Sequence, residues 1–422
     1  MEKELERIIH KVKEKVKDQE VICLFESTFL DIFTQTMENL EDSTTYMVTG
    51  DIPAMWLRDS SCQLRPIIPF LKESPQIAQL VKRIIRRQFD FIQKDPYANA
   101  YTIERDPERW DADLPTQNPH VWEQKYEIDS LCFPILLAYQ YWKMTEDTSI
   151  FDNLFFTSIT TIIDLWITEQ QHEEVSSYTF LREEEGYLVR DGKGSLTSYT
   201  GMTWSGFRPS DDPCVYHYLV PSNLFASHVL GLIEKILAIH PIQQSALLHK
   251  VVKLQKEIEK GIQTFGHIEN EHGHSVYAYE VDGLGNYLMM DDSNMPSLLS
   301  LPMLTSVMKD DLIYSHTRNF VLSEKNPYYF QGEKAFGIGS PHTPEGYVWP
   351  IAIAVEGITS TSKTEKWEKI QMISQTTAGQ LQIHESFDPD NPCNYTREWF
   401  SWANAMFCEL VLDYCGYSVL VE

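Results

Sequence analysis

Four stretches of this chain bring carboxylates, an arginine or lysine and aromatic rings close together, the side-chain types that can bind and protonate a polyhydroxylated ligand. The first runs from Thr49 to Ser60 (TGDIPAMWLRDS). Trp56 offers a flat apolar face to the C–H side of a sugar ring, while Arg58 and Asp59 offer a donor fork and an acceptor for hydroxyls. An Arg58–Asp59 ion pair, with Asp59 or Ser60 capping the next helix, accounts for the same residues without any ligand. The second, Trp122 to Asp129 (WEQKYEID), suits a ligand-contacting loop or an ordinary helix entry. In the third, Trp204 to Pro213 (WSGFRPSDDP), adjacent carboxylates on a turning backbone point in different directions. One of Asp211 and Asp212 can then face a substrate while the other raises its pKa, as a general acid requires, although a plain Asp-Asp-Pro turn reads the same way. The fourth is His384 to Asp390 (HESFDPD) followed by Tyr395 to Trp399 (YTREW). Glu398 stands there at the expected mouth of the last helix, where the dipole keeps a carboxylate ionised, as a base that activates water must be; simple helix stabilisation is the alternative. Taken singly, each stretch is explained by structure alone. Together they point to an acid-rich pocket with stacking walls.

Such a pocket needs rigid elements to hold it. Ser74-Pro75 reads as an N-cap and first-turn proline ahead of Ile77, Leu80, Val81, Ile84, Ile85 and Phe89. The same spacing predicts helices from Phe151 to Trp166, from Ser222 as a cap to a stop at His240-Pro241, from Leu248 to a terminating Gly261, and from Trp399 to Tyr414. Weaker candidates near 2–17, 24–39, 60–72, 129–144, 295–307, 308–323, 347–358 and 363–376 bring the total to roughly a dozen, an all-α array larger than a simple bundle. Strand signals are few: His274 to Glu280 alternates, and Gly283-Leu284-Gly285-Asn286 suits a turn. Long loops over 43–59, 95–129, 196–220, 280–296, 325–350 and 384–398 hold most of the candidate residues, and loops of that length usually carry function.

Composition narrows the function classes. A formal charge of −26, from 35 basic and 61 acidic residues, argues against nucleic acid or an anionic membrane surface as the main partner. The opening residues MEKELER lack the apolar core of a secretion signal, and no run approaches the roughly 20 apolar residues of a membrane span, so a cytoplasmic chain is expected. Seven widely spaced cysteines without a CxxC pair indicate neither a disulfide framework nor a zinc site. The histidines of 267–274 lack HExxH spacing, Asp291-Asp292-Ser293 lacks an EF-hand pattern, and there is no P-loop, GxGxxG or GxSxG.

The combination TGDIPAMWLRDS, WSGFRPSDD, EVDGLGN, NPYYFQG and REWFSWANAMFCELV resembles glycoside hydrolase family 125, exo-acting α-1,6-mannosidases, over nearly the whole chain. That resemblance implies a single (α/α)6 barrel, or toroid, over residues 1–422, with long functional loops at one end. It also implies hydrolysis of terminal non-reducing α-mannose in an oligosaccharide or glycan, with inversion and with neither cofactor nor metal. Carried onto this sequence, the general acid is Asp211, with Asp212 as the alternative, and the general base is Glu398. Asp211 is preferred by analogy with glucoamylase-like hydrolases, whose RDS motif is similar to Arg58-Asp59-Ser60. Asp51, Trp56, Arg58, Asp59, Arg208, Asp212, Gln331 and His342 are the implied substrate contacts. An exo-α-glucosidase of glucoamylase type and a non-catalytic glycan-binding (α/α)6 protein are the rival readings.

These expectations make Asp211→Asn and Glu398→Gln the decisive pair, each predicted to remove most α-mannoside hydrolysis from a folded protein. Activity should also survive a strong chelator; loss with rescue by calcium or zinc would point to a metal-dependent mannosidase instead.

Overall fold

A helix that is apolar on every side has to be covered on every side, and several helices of this chain meet that description. The computed structural model describes residues 1–104, 113–115, 118–182, 187–239 and 245–419. Within it, Pro350–Thr359 is buried at every residue, and Ile128–Thr145, Val220–Ala238 and Ser401–Tyr414 are buried over most of their length. With the short helices Leu57–Cys62 and Leu301–Leu304 they form an inner ring. Each packs on the next, and Ser401–Tyr414 returns to Leu57–Cys62, so the ring closes.

A second layer covers this ring. It consists of Gln19–Thr34, Pro75–Lys94, Asn153–Glu169, Ser245–Phe265, Leu312–Val321 and Lys363–Ser374. These helices are apolar on one face only; Pro75–Lys94 buries Ile77, Leu80, Val81, Ile84 and Ile85 at helical spacing. Outer and inner helices alternate along the chain, which is the (α/α)6 toroid expected from the sequence. Ser74 caps its helix as predicted, accepting from the Ile77 N–H, with Pro75 in the first turn. Among the described residues no helix is long and apolar enough to cross a membrane.

Several local expectations change. Ser222 is not a cap: its helix starts at Val220 after Leu219, which places Ser222 inside the first turn. Gly261 does not end its helix, which continues to Phe265; a Cβ there would meet the Thr200 carbonyl oxygen at 2.7 Å, so glycine serves close packing instead. The stop at His240-Pro241 lies outside the described residues. The helix expected over 295–307 contracts to Leu301–Leu304, because the turn before it is held by Asp291, whose buried carboxylate accepts from the N–H groups of Leu298 and Leu299. His267–Glu269 pairs with Ser275–Tyr277 around a turn closed by the Asn270 side chain, and Glu280–Val281 pairs with Tyr287–Leu288 around the Gly283–Gly285 turn.

The inner-helix caps Trp56, Glu127, Leu219, Ser300, Trp349 and Phe400 make no side-chain cap bond. The chain enters these helices through the long loops and through short two- or three-residue strands, such as Met55–Trp56 paired with Ala100–Tyr101 and onward with Val121–Glu123. Further along the ring, Arg65 donates Nε and a terminal nitrogen to Glu409 at 2.6 and 2.7 Å, both side chains being buried. Removing one partner leaves an uncompensated buried charge. Glu409→Gln should therefore lower the unfolding free energy by about 3 kcal/mol, read as a lower urea midpoint at unchanged slope.

Candidate active site

Arg58 sits in the first turn of Leu57–Cys62 with only 2% of its side chain exposed. One of its terminal nitrogens donates to Glu127 at 2.6 Å and to Asp129 at 2.9 Å. The other lies 3.7 Å from Asp211, and Nε lies 3.8 Å from Asp59. Burial opposes the charge, yet these four carboxylates hold the guanidinium well above its ordinary pKa. Thr49 donates its hydroxyl to Asp59, and the Arg58 guanidinium lies 5.5 Å from the Trp402 ring centre.

Asp211 reaches this cluster from a tight loop. The Asp211 N–H donates to the Arg208 carbonyl, the Arg208 N–H to the Asp212 carbonyl, and Cys214 to Gly206. Asp211 itself adopts φ +67°, an uncommon conformation for a residue with a Cβ, and one that occurs disproportionately at functional sites. Arg208 lies beneath the loop, bonded at 2.6 Å to Glu280, which also accepts from the Val215 and Tyr216 N–H groups. Asp211 Oδ1 accepts from Asn99 at 3.0 Å. Burial raises its pKa, but Lys125 and Arg58 outweigh that and bring it down to about 2.

Across the ring, the hairpin strands Ser386–Phe387 and Tyr395–Thr396 present Glu385 and Arg397. Glu385 is 7% exposed and 3.4 Å from the Arg397 guanidinium, whose other nitrogens hold Asp51. Gly50 and Phe400 form a β-bridge joining this loop to the first one; a Cβ on Gly50, at φ +130°, would meet the Trp399 carbonyl oxygen at 2.8 Å. His342 Nδ1 lies 3.6 Å from Asp212 Oδ1. Burial favours the neutral imidazole, but Asp212, then Asp211 and Glu385, raise its pKa to about 9. All these loops open on one cavity of about 500 Å³, lined by Asp51, Trp56, Arg58, Asp59, Glu123, Lys125, Asp211, Asn294, His342, Glu385, Arg397 and Trp402 among others. Carboxylates on different loops of an aromatic-walled cavity can supply the acid and the base of a glycoside hydrolysis.

The family model of metal-independent α-mannosidases matches residues 18–412. The chain belongs to glycoside hydrolase family 125. A member of a family of metal-independent α-mannosidases from Streptococcus pneumoniae, solved in a non-productive substrate complex with α-1,6-mannobiose, is 44% identical, with 98% of each chain covered and a TM-score of 0.94. The meiotically up-regulated gene 157 protein of Schizosaccharomyces pombe is 36% identical over 97% of this chain and 85% of its own length. A bacterial glucoamylase complexed with acarbose shares the fold alone, at 12% identity and a TM-score of 0.60 over 94% of this chain and 56% of its own.

Within this family 125 site, the residues expected from the sequence separate into two groups. Asp51, Trp56, Arg58, Asp59, Asp211 and His342 line the cavity. Asp212 turns away from its wall, accepting from Ser210 Oγ at 2.8 Å and facing His342. Arg208 supports the loop through Glu280, and Gln331 is exposed on the outer hairpin strand Tyr329–Gln331. Glu398 is exposed and lines no part of the cavity; the last helix starts only at Ser401, with Phe400 as its cap. The reason is local: Thr396 and Arg397 both line the cavity, and Arg397, at φ +36°, turns the chain so that Glu398 points to solvent.

Glu385 and the 122–129 stretch stand out in the sequence, but their residue types do not assign them to the pocket. Glu123 and Lys125 line it, while Glu127 and Asp129 hold Arg58 from behind. The available signal is the spacing of Glu123 and Lys125, since alternate side chains on extended backbone share a face; Asp129 already stands in the helix Ile128–Thr145.

The His342 environment gives a pH prediction. The ring binds its proton more tightly folded than unfolded, where histidine titrates near pH 6.5. Its stabilising contribution is therefore full below about 6.5 and is lost as pH rises through about 9. NMR titration of the imidazole should give a midpoint well above 7, and Asp212→Asn should bring it down.

Proposed function

We propose that this enzyme removes a terminal non-reducing mannose, α-1,6-linked, from an oligosaccharide in one displacement with inversion, using Asp211 as general acid and Glu385, in place of Glu398, as general base. The observation carrying this reading is that Asp211 and Glu385 face one cavity from different loops. The α-1,6 linkage is supported by the 44% identical pneumococcal relative, which was solved with α-1,6-mannobiose.

The chemistry follows from the placement. A sugar ring in the cavity meets Trp56 and Trp402 as apolar surface and Arg58, Asp59, Asp51 and His342 as hydroxyl partners. Asp211 donates a proton to the departing glycosidic oxygen. Glu385, fixed by Arg397, takes a proton from a water that attacks the anomeric carbon from the opposite face. Inverting hydrolases keep their two carboxyl groups about 6.5–9.5 Å apart to leave room for that water. The starts of Leu57–Cys62, Pro350–Thr359 and Ser401–Tyr414 line the cavity around Arg58, which supports binding of a chain end. The toroid is read as a single catalytic unit over the whole chain, supported by the contact of its last helix with Gln19–Thr34 and Leu57–Cys62. A reducing, cytoplasmic setting belongs to the same proposal, supported by seven free thiols.

Asp211→Asn and Glu385→Gln should each lower turnover of α-1,6-mannobiose by about 10²–10⁴-fold, whereas Glu398→Gln should leave it near normal. Proton NMR of the first-formed product should show β-mannose. Normal turnover in Glu385→Gln with collapse in Glu398→Gln would overturn the base assignment, and first-formed α-mannose would overturn inversion.

A further inference from the structure

Fixing the backbone of the Asp211 loop does not by itself fix the carboxyl group. The loop is held by main-chain bonds between Arg208 and the Asp211–Asp212 pair, and by Glu280 on the Arg208 guanidinium. The Asp211 side chain can still turn about its own bonds and offer either oxygen to the cavity. A general acid has to present its proton in one direction, within hydrogen-bond reach of the leaving oxygen. Because Lys125 and Arg58 favour the ionised form, the protonated form is scarce and its direction matters all the more.

Asn99 stands behind Asp211, placed to set that direction. It is wholly buried, in the connection between helix Pro75–Lys94 and strand Ala100–Tyr101. Its main chain is tied on both sides: the carbonyl accepts from the Leu57 N–H at 3.1 Å, and the N–H donates to the Glu123 carbonyl at 3.3 Å. The orientation of its side-chain amide follows from what the two ends face. One end lies 3.2 Å from the Lys125 N–H, a donor, and is therefore the oxygen. The other is the NH2 group, which faces Asp211 Oδ1 at 3.0 Å, Glu123 Oε2 at 3.2 Å and Glu127 Oε1 at 3.4 Å. Two hydrogens meet three carboxyl groups, and the shortest contact is with Asp211.

Arg58 approaches the same oxygen, 3.7 Å from Oδ1. An oxygen that accepts from an amide and faces a guanidinium is a poor place for a proton, which would point at another hydrogen. The Asp211 side chain keeps 22% of its surface accessible and lines the cavity, whereas Asn99 does not.

We propose that Asn99 is a positioning residue whose amide holds Oδ1 of Asp211, leaving Oδ2 as the oxygen that carries the proton to the glycosidic oxygen. In balance, the Oδ2–H bond breaks as the O–H bond of the departing sugar forms, and the electron pair of the broken C–O bond stays with that sugar's oxygen. The attacking water bonds to the anomeric carbon and gives its proton to Glu385. Asp211 then regains a proton from solvent as Glu385 returns one, so no net proton is consumed. Asn99 touches neither sugar nor water and acts through Asp211.

This inference rests on Asp211 being the acid, and the test separates the two claims. α-Mannosyl fluoride departs without protonation, whereas α-1,6-mannobiose needs an acid. Asn99→Asp keeps an oxygen for the Lys125 N–H and removes the donor to Asp211; Asn99→Ala removes both. Each should lower kcat on mannobiose by about 10²-fold with KM little changed, while the fluoride rate stays within a few-fold of the parent enzyme. Asp211→Asn should show the same split between substrates. An Asp211→Asn variant that loses both substrates equally overturns the acid assignment. A split in Asp211→Asn with equal losses, or none, in a folded Asn99 variant leaves Asn99 a structural residue and overturns the positioning role. Should neither Asn99 variant fold, NMR of the nitrogen-15-labelled Asn99 side-chain amide decides, comparing the parent enzyme with Asp211→Ala. Removal of the carboxylate acceptor should move one amide proton resonance upfield, and unmoved resonances overturn the proposal.

Discussion

One buried guanidinium organises this protein. Arg58 sits in the first turn of a short inner helix and is approached by Glu127 and Asp129 from one segment, by Asp211 from another and by its own neighbour Asp59. Such a group is costly to desolvate unless its partners are held at good distances. Glu127 and Asp129 must therefore arrive at the start of Ile128–Thr145, Asp211 must be turned inward by a left-handed residue, and Asp59 must be held by Thr49. Each requirement constrains a different stretch of backbone, and together they define the floor of the cavity.

The toroid suits this task because its closed inner ring brings the starts of Leu57–Cys62, Pro350–Thr359 and Ser401–Tyr414 to one cavity. Their caps lend no side-chain oxygen to the first N–H groups. At the starts of Leu57–Cys62, Pro350–Thr359 and Ser401–Tyr414, which line the acid-rich cavity, the partial positive charge of the helix end adds to what Arg58, Lys125, Arg397 and His342 supply. A chain carrying a net charge of −26 can in this way hold several carboxylates close together without scattering them.

Much of the fold was legible in the sequence because helical spacing reports burial directly, as at Ile77, Leu80, Val81 and Ile84. The Arg58-Asp59-Ser60 and Asp211-Asp212 stretches stand out in the sequence as polar clusters, but an ion pair or a turn accounts for the same residue types, so only the structure brings them to one cavity. Which of Glu385 and Glu398 faces the cavity is not legible in the sequence, because it depends on which way one residue of backbone turns. Arg397, at φ +36°, takes the cavity side, a fact that no residue type discloses. Gly261 reads as a helix end in the sequence for a related reason: its partner is Thr200, some sixty residues distant, and only tertiary packing brings them together. The short Leu301–Leu304 helix depended on Asp291 folding back onto Leu298 and Leu299, which apolar periodicity does not encode.

The Gly50–Phe400 bridge and the Arg397–Asp51 pair join segments 346 to 350 residues apart. For a chain made from its N-terminus, this sets an order in time. Trp56, Arg58 and Asp59 are synthesised early and wait, while Glu385, Arg397 and Trp402 complete the cavity only with the last tenth of the chain. Loop closure over such a span is slow compared with pairing between adjacent helices. The half-made ring leaves the apolar flanks of its inner helices without their final neighbour, so the interval before closure is when this protein is most open to association with other chains. The contact that completes the pocket is also the one that ends that exposure.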